Sequence, residues 1–144
     1  MTAQQMYDAT QHAVRHADVL VMAAAVADYR PAHPSDDKIK KERNTLQLEL
    51  ERTVDILGSL EGSFIRVGFA AESSDLEQNA RAKLSSKHLH LIVANDITAT
   101  DSGFGSESNR VSILGREGTI DRLPLLSKRE VADRVLDRVV QLLD

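Results

Sequence analysis

The chain contains no cysteine. That excludes disulfides, thiolate zinc sites, cysteine-ligated iron–sulfur clusters and a cysteine nucleophile. Tryptophan is absent too, and two tyrosines and three phenylalanines are the only aromatics, so a base-stacking surface of the single-strand-binding type has little to build on. No glycine precedes Gly58. The strand, glycine-rich turn and helix with which nucleotide-binding α/β domains commonly open is therefore missing, which argues against a dinucleotide-binding oxidoreductase. The apolar run from Val19 to Ala27 is too short to span a bilayer, and the polar segment before it is no signal-peptide n-region. A net charge of −4 gives no global attraction to nucleic acid or to an anionic membrane. What is there, 144 residues with 42% hydrophobic and 28% charged, predicts one soluble, cytoplasmic domain over residues 1–144, with neither nucleic acid nor membrane as a partner.

The stretch Val19–Lys41 organises this domain. Its uninterrupted apolar run up to Ala27 predicts a strand covered on both faces, as in parallel sheets flanked by helices. The run stops at Asp28, and ligands of open α/β sheets bind beyond the carboxyl ends of strands. Pro31 and Pro34 forbid a helix or central strand behind it, leaving a charged loop to Arg43.

Around that stretch the patterning is regular. Thr2 and Gln5 form a capping box for a first helix with an apolar face of Met6, Ala9, Ala13, Val14 and Ala17. Leu46, Leu48 and Leu50 alternate with polar residues as a half-exposed strand in an arm. Asp55–Leu60 reads as a short helix, Phe64–Ala71 as a strand, Ser74 and Glu77 as a capping box for a helix with a Leu76, Ala80 and Leu84 stripe, and His88–Ala94 as a third strand. A long polar loop TATDSGFGSESN follows, then a hairpin around Gly115–Gly118. Ser127 and Glu130 cap the last helix, with Leu126 and Val131 as its staple and Val131, Val135, Leu136, Val139 and Leu142 as its stripe. The elements predict an α/β, Rossmann-like three-layer domain with a mainly parallel sheet, an antiparallel arm and hairpin. A helix-then-strand opening predicts that the N-terminal βα unit is missing.

Several side chains carry alternative readings. Asp28 either holds a ribose hydroxyl or a magnesium-bound phosphate, or bonds its own loop amides. Lys38, Lys40 and Lys41 either close over a polyphosphate or belong to a solvated loop, and the interspersed Asp36, Asp37 and Glu42 favour the latter. Lys83 and Lys87 share a helical face, where like charges cost about 0.2–0.5 kcal/mol that a bound anion would relieve; their place near a helix C-terminus is a sufficient alternative cause. Phe69 reads first as core, with packing on a base or sugar as the alternative. His12 with His16, and His88 with His90, have pair spacings without a third ligand and read as ordinary surface or core residues.

Taken together, AAAVADYRP at 23–31, KIKK at 38–41, TVDIL at 53–57, VGFAAE at 67–72, ARAKLSSK at 80–87, LIVAND at 91–96 and FGSESN at 104–109 resemble the phosphopantothenoylcysteine synthetase domain of the bacterial coenzyme A pathway. The resemblance runs across nearly the whole chain, and the order of seven motifs makes it specific. It implies a ligase that turns CTP and 4′-phosphopantothenate into an acyl-cytidylate and pyrophosphate, then lets cysteine displace CMP. It implies Mg2+ with CTP, no flavin on this chain, a homodimer, and a decarboxylase or separate N-terminal half as a further partner. Residue by residue it assigns Lys38 to catalysis. To nucleotide binding it assigns Met22, Ala23, Ala24, Asp28, Lys38, Thr53, Val54, Asp55, Ile56, Phe69, Lys83 and Lys87, with no protein metal site. The family's glycine-rich upstream part has no counterpart here, so a non-catalytic nucleotide-binding or assembly fragment is the alternative. Val54 stands where the family often has proline, and His90 where an acid is common.

Overall fold

A computed structural model describes residues 2–35, 37–40, 45–72, 74–96 and 107–143, with Asp96 through its backbone alone. Helix α1, Ala3–Ala13, starts on the expected capping box: Thr2 Oγ1 accepts from the Gln5 amide at 3.2 Å, and the Gln5 side chain accepts from the Thr2 amide at 2.8 Å. None of its residues is buried, and contact with the core comes through Met6 and Tyr7 beside the buried Val14 of the following single turn.

Strand β1 spans Val19–Met22 alone, shorter than the nine-residue run predicted. It is also less covered: Val21 is 41% exposed. Among the described residues β1 pairs with one neighbour and forms the outer strand of its sheet, so continuous hydrophobicity there did not mean cover on both faces. Residues 23–27 continue beyond it without regular structure. Strand β2, Tyr29–Pro31, then pairs antiparallel with β3, Leu50–Arg52. Pro31 thus lies not in the central sheet but in a strand of a two-stranded ribbon, where its missing amide is tolerated. The ribbon is extended by the Ala32 amide on the Glu49 carbonyl and the Thr53 amide on the Asp28 carbonyl, both at 2.9 Å. Leu46 and Leu48 precede the strand instead of lying in it, and both are exposed.

Helix α2, Ile56–Ser59, is a single turn capped by Asp55, whose carboxylate accepts from the Gly58 amide at 3.2 Å. Strand β4, Ile65–Glu72, helix α3, Leu76–Ser86, and strand β5, Leu91–Asp96, make the predicted β–α–β unit, with β1, β4 and β5 mutually parallel. The cap of α3 differs from expectation. The helix begins after Asp75, which is left-handed (φ 46°) and makes no side-chain cap bond. With Asp75 as the cap, Ser74 falls one position before it and Glu77 is only the second helical residue, so the two form no box, and Glu77 pairs with Arg122 at 2.6 Å instead. His88 and His90 precede β5, with His88 also left-handed (φ 52°).

After β6, Ser108–Asn109, strands β7, Val111–Gly115, and β8, Ile120–Arg122, form the hairpin and join the sheet antiparallel beyond β5. The five-stranded order is β1-β4-β5-β7-β8, parallel through its first three strands. Short β9, Leu126–Ser127, pairs with β6 and leads into helix α4, Lys128–Leu143. The Ser127–Glu130 box closes α4, with Ser127 Oγ accepting from the Glu130 amide at 3.2 Å and the Ser127 amide donating to Glu130 Oε2 at 2.9 Å. The Ser127 hydroxyl also donates to Glu130 Oε2 at 2.7 Å, and that bond, followed by the one from the Ser127 amide, holds the Glu130 carboxyl below its ordinary range.

The sheet is sandwiched. Val131, Val135 and Val139 of α4 pack on Ile65, Val67, Leu91, Val93 and Ile113 on one face, while Ala80 and Leu84 of α3 pack on Leu89, Ile92, Ala94 and Leu114 on the other. Leu136, predicted in the α4 stripe, faces outward at 52% exposure; residues four apart along Val131, Val135 and Val139 already fill the contact line. Most of the predicted TATDSGFGSESN loop and Lys41 lie outside the described residues.

Candidate functional site

Beyond the carboxyl end of β1, against the middle of β4, the chain leaves a cavity of about 290 Å³. Its walls come from five places in the sequence. Met22 and residues 24–28 extend from β1, Gly68 and Phe69 belong to β4, Thr53–Leu57 join the arm to α2, Lys83 and Lys87 reach in from the last turn of α3 and its C-cap, and Leu89 and Ile92 come from the start of β5 and the residues before it. The arm is stitched to the strand end by Thr53, whose hydroxyl donates to the Ala27 carbonyl at 2.5 Å. Gly68 makes room: a Cβ there would stand 2.8 Å from Leu89 Cδ1 and 3.2 Å from Leu57 Cδ2, both cavity-lining side chains.

The two lysines are spoken for inside the protein. Lys83 Nζ lies 2.7 Å from Glu72 Oε1, and Lys87 Nζ lies 3.0 Å from Asp55 Oδ1. Their repulsion along α3 is thus relieved by one carboxylate each, an alternative the sequence reading missed. Asp28 differs. It is exposed, it lines the cavity, and among the described residues no donor meets its carboxylate, so the reading in which it bonds its own loop amides fails. Phe69 departs from the core reading as well: it is 43% exposed between the buried Val67 and Ala70, presenting an aromatic ring to the opening.

Ten of the twelve residues assigned from sequence therefore surround one cavity: Met22, Ala24, Asp28, Thr53, Val54, Asp55, Ile56, Phe69, Lys83 and Lys87. Ala23 lines a neighbouring hollow of about 390 Å³, which shares Ala24, Ala25 and Phe69 with the first and reaches Asn95 and the start of α4. The Asn95 Oδ1 there is buried without a hydrogen-bond partner among the described residues, the kind of acceptor that ordered water or a bound donor satisfies. Lys38 is outside the cavity wall, on the exposed loop between β2 and β3 with no ion pair among the described residues. Glu72, Gly68 and Asn79 were missed. Glu72 had a legible signal, since like Asp28 it is an acid ending an apolar strand.

No group of three or more histidines, aspartates or glutamates among the described residues is arranged to hold a metal. Nor is any helix among them long and apolar enough to cross a membrane.

A sheet parallel through its first three strands, with a helix packed on each face and a cavity beyond β1, is a Rossmann-like α/β fold. Over residues 1–143 the sequence matches the family described as the DNA/pantothenate metabolism flavoprotein C-terminal domain, and the chain belongs to that family. It is 42% identical over 144 residues to the coenzyme A biosynthesis bifunctional protein CoaBC of Bacillus subtilis, covering 98% of this chain and 36% of that protein. A cysteine/cysteine sulfinic acid decarboxylase from an unknown prokaryotic organism is 37% identical, with 98% of this chain and 40% of the relative covered. The solved C-terminal domain of a CoaBC protein superimposes with a TM-score of 0.77 at 36% identity, covering 98% of this chain and 62% of that one. The chain thus spans between a third and two fifths of the length of these two sequence relatives.

Proposed function

We propose that this chain is a CTP-dependent phosphopantothenate–cysteine ligase domain of coenzyme A biosynthesis. The observation that carries the reading is the convergence of Asp28, Phe69, Lys83 and Lys87 on one cavity beyond the end of β1. Such a cavity suits a nucleotide polyphosphate better than a neutral ligand, because its cations offset phosphate charge and its ring and apolar wall accept a base or sugar.

The reaction has two balanced steps. A carboxylate oxygen of 4′-phosphopantothenate attacks the α-phosphorus of CTP, and the bond to pyrophosphate breaks. The amine of cysteine then attacks the acyl carbon, the bond to CMP breaks with its electron pair, and the ammonium proton passes to solvent. Both steps depend mainly on positioning and charge neutralisation. Lys83 and Lys87 supply positive charge, and Lys38 supplies a further ammonium from the loop between β2 and β3. Thr53, Val54, Asp55 and Ile56 flank the base, and Met22, Ala23 and Ala24 give close backbone approach. Glu72 and Asp55 are occupied by lysines, whereas the Asp28 carboxylate is open. One protein carboxylate with nucleotide phosphates is a usual setting for magnesium; Asp28 would hold the ion, which would supply further neutralisation of phosphate charge.

The test is release of pyrophosphate by the purified chain in the presence of CTP and phosphopantothenate, and formation of phosphopantothenoylcysteine once cysteine is added. The outer position of β1 among the described residues favours a second reading, a nucleotide-binding fragment that needs a separate N-terminal half. CTP binding without pyrophosphate release would select that second reading; absence of both would remove the two together.

A further inference from the structure

Glu72 and Asn79 stand behind the cavity wall, yet they determine where one of its cations sits. The side chain of Glu72 is only 10% exposed. Its Oε1 meets Lys83 Nζ at 2.7 Å, and its Oε2 accepts from Asn79 Nδ2 at 3.2 Å. The same Asn79 nitrogen donates to the Ser74 carbonyl at 2.9 Å, anchoring the relay to backbone. Both oxygens of a nearly buried carboxylate are thereby satisfied, as burial of a charge requires. Lys87 is held differently. Its partner Asp55 is 50% exposed, and the oxygen it contacts also accepts from the Gly58 amide at the start of α2.

We propose that Asn79 and Glu72 form a positioning relay that presets the Lys83 ammonium for a phosphate entering the cavity. The relay rests on the reading of the cavity as a nucleotide site. An ammonium carries three donors, so the bond to Glu72 leaves two for phosphate oxygens. Lysine otherwise loses considerable rotamer freedom when a ligand fixes it, and fixing it beforehand removes that cost from binding. Lys87, on an exposed and shared carboxylate, is the exchangeable cation of the pair. Asn79 is the informative position because it is uncharged: its replacement leaves the charge of the cavity unaltered, and a change in affinity reports position alone.

Titration calorimetry of magnesium–CTP against the whole chain, Asn79→Ala, Lys83→Met and the double variant tests the relay. Loss of the charged contact in Lys83→Met weakens binding about tenfold or more. Asn79→Ala weakens it about threefold to tenfold, and the double variant binds no more weakly than Lys83→Met, because Asn79 acts only through Lys83. Melting temperatures check that each variant is folded; should Asn79→Ala not fold, Asn79→Ser carries the same comparison. Additive losses in the double variant, or full affinity in the Asn79 variant beside a weakened Lys83→Met, overturn the relay and leave the nucleotide reading standing. Full affinity in Lys83→Met overturns the lysine assignment and the relay with it. No binding by the unaltered chain overturns the nucleotide reading itself.

Discussion

The β4–α3–β5 unit and the segment running from β1 through the arm border the same cavity on opposite terms. In the first, Val67, Ala80, Val93 and Ala94 are fully buried and helices cover both faces. In the second, Tyr29, Leu46, Leu48 and Leu50 each have more than half of their surface exposed, and the arm adds only a two-stranded ribbon. The buried unit contributes Lys83, held by its own Glu72, and Lys87, whose partner Asp55 is exposed; the exposed segment contributes Asp28 and, outside the cavity wall, Lys38. The two sides of the cavity thus differ in how closely neighbouring elements cover them.

The largest test of that contrast is thermodynamic. Leu91→Ala, in the central β5, is expected to cost about 2–5 kcal/mol of stability in urea unfolding, whereas Leu48→Ala in the arm stays within about 0.5 kcal/mol. Comparable losses at the two positions would break the comparison. Next in size is assembly. The row of exposed leucines in the arm motivates a homodimer, and Leu46→Ser with Leu48→Ser and Leu50→Ser should then shift sedimentation from dimer to monomer. A chain that sediments as a monomer at every concentration rejects that proposal.

The smallest effect concerns the far end of the buried unit. His90 Nδ1 accepts from the Arg66 amide at 3.0 Å, and the Arg116 guanidinium, bonded to the carbonyls of Leu89 and His88, lies close by. Burial, then the charges of Arg116 and Arg66, hold the His90 pKa below the usual 6.5, with Glu117 opposing. The folded state therefore binds fewer protons there than the unfolded state. The resulting stabilisation is complete above the unfolded value and is lost as pH falls below it, through the lowered folded value. Melting temperatures between pH 8 and pH 5 should decline more steeply for the unaltered chain than for His90→Asn; parallel curves would remove His90 from the account.

The same contrast explains what could be read from sequence. The β–α–β unit, the hairpin and α4 were legible because their apolar residues repeat at the spacing of the faces they bury, and because Thr2–Gln5 and Ser127–Glu130 form their boxes in register. Where neighbours decide, patterning misled. Val19–Ala27 looks like a covered strand, yet only Val19–Met22 pairs, at the sheet's outer edge. Phe69 looks like core, yet the small residues around it leave its ring open. Leu136 fits the helical stripe by spacing but sits beyond the contact line set by the valines. At the cavity, the motif residues were legible one by one, whereas the pairings of Lys83 with Glu72 and Lys87 with Asp55 depend on separations of 11 and 32 residues closed only by the fold.

The most direct test of the central claim, that the cavity between β1, β4, α3 and the arm receives a nucleotide, is titration of CTP into the unaltered chain and into Lys83→Ala/Lys87→Ala. The account predicts measurable binding to the first and at least about tenfold weaker binding to the second, as removal of two charged contacts requires. Equal affinity for both would contradict it.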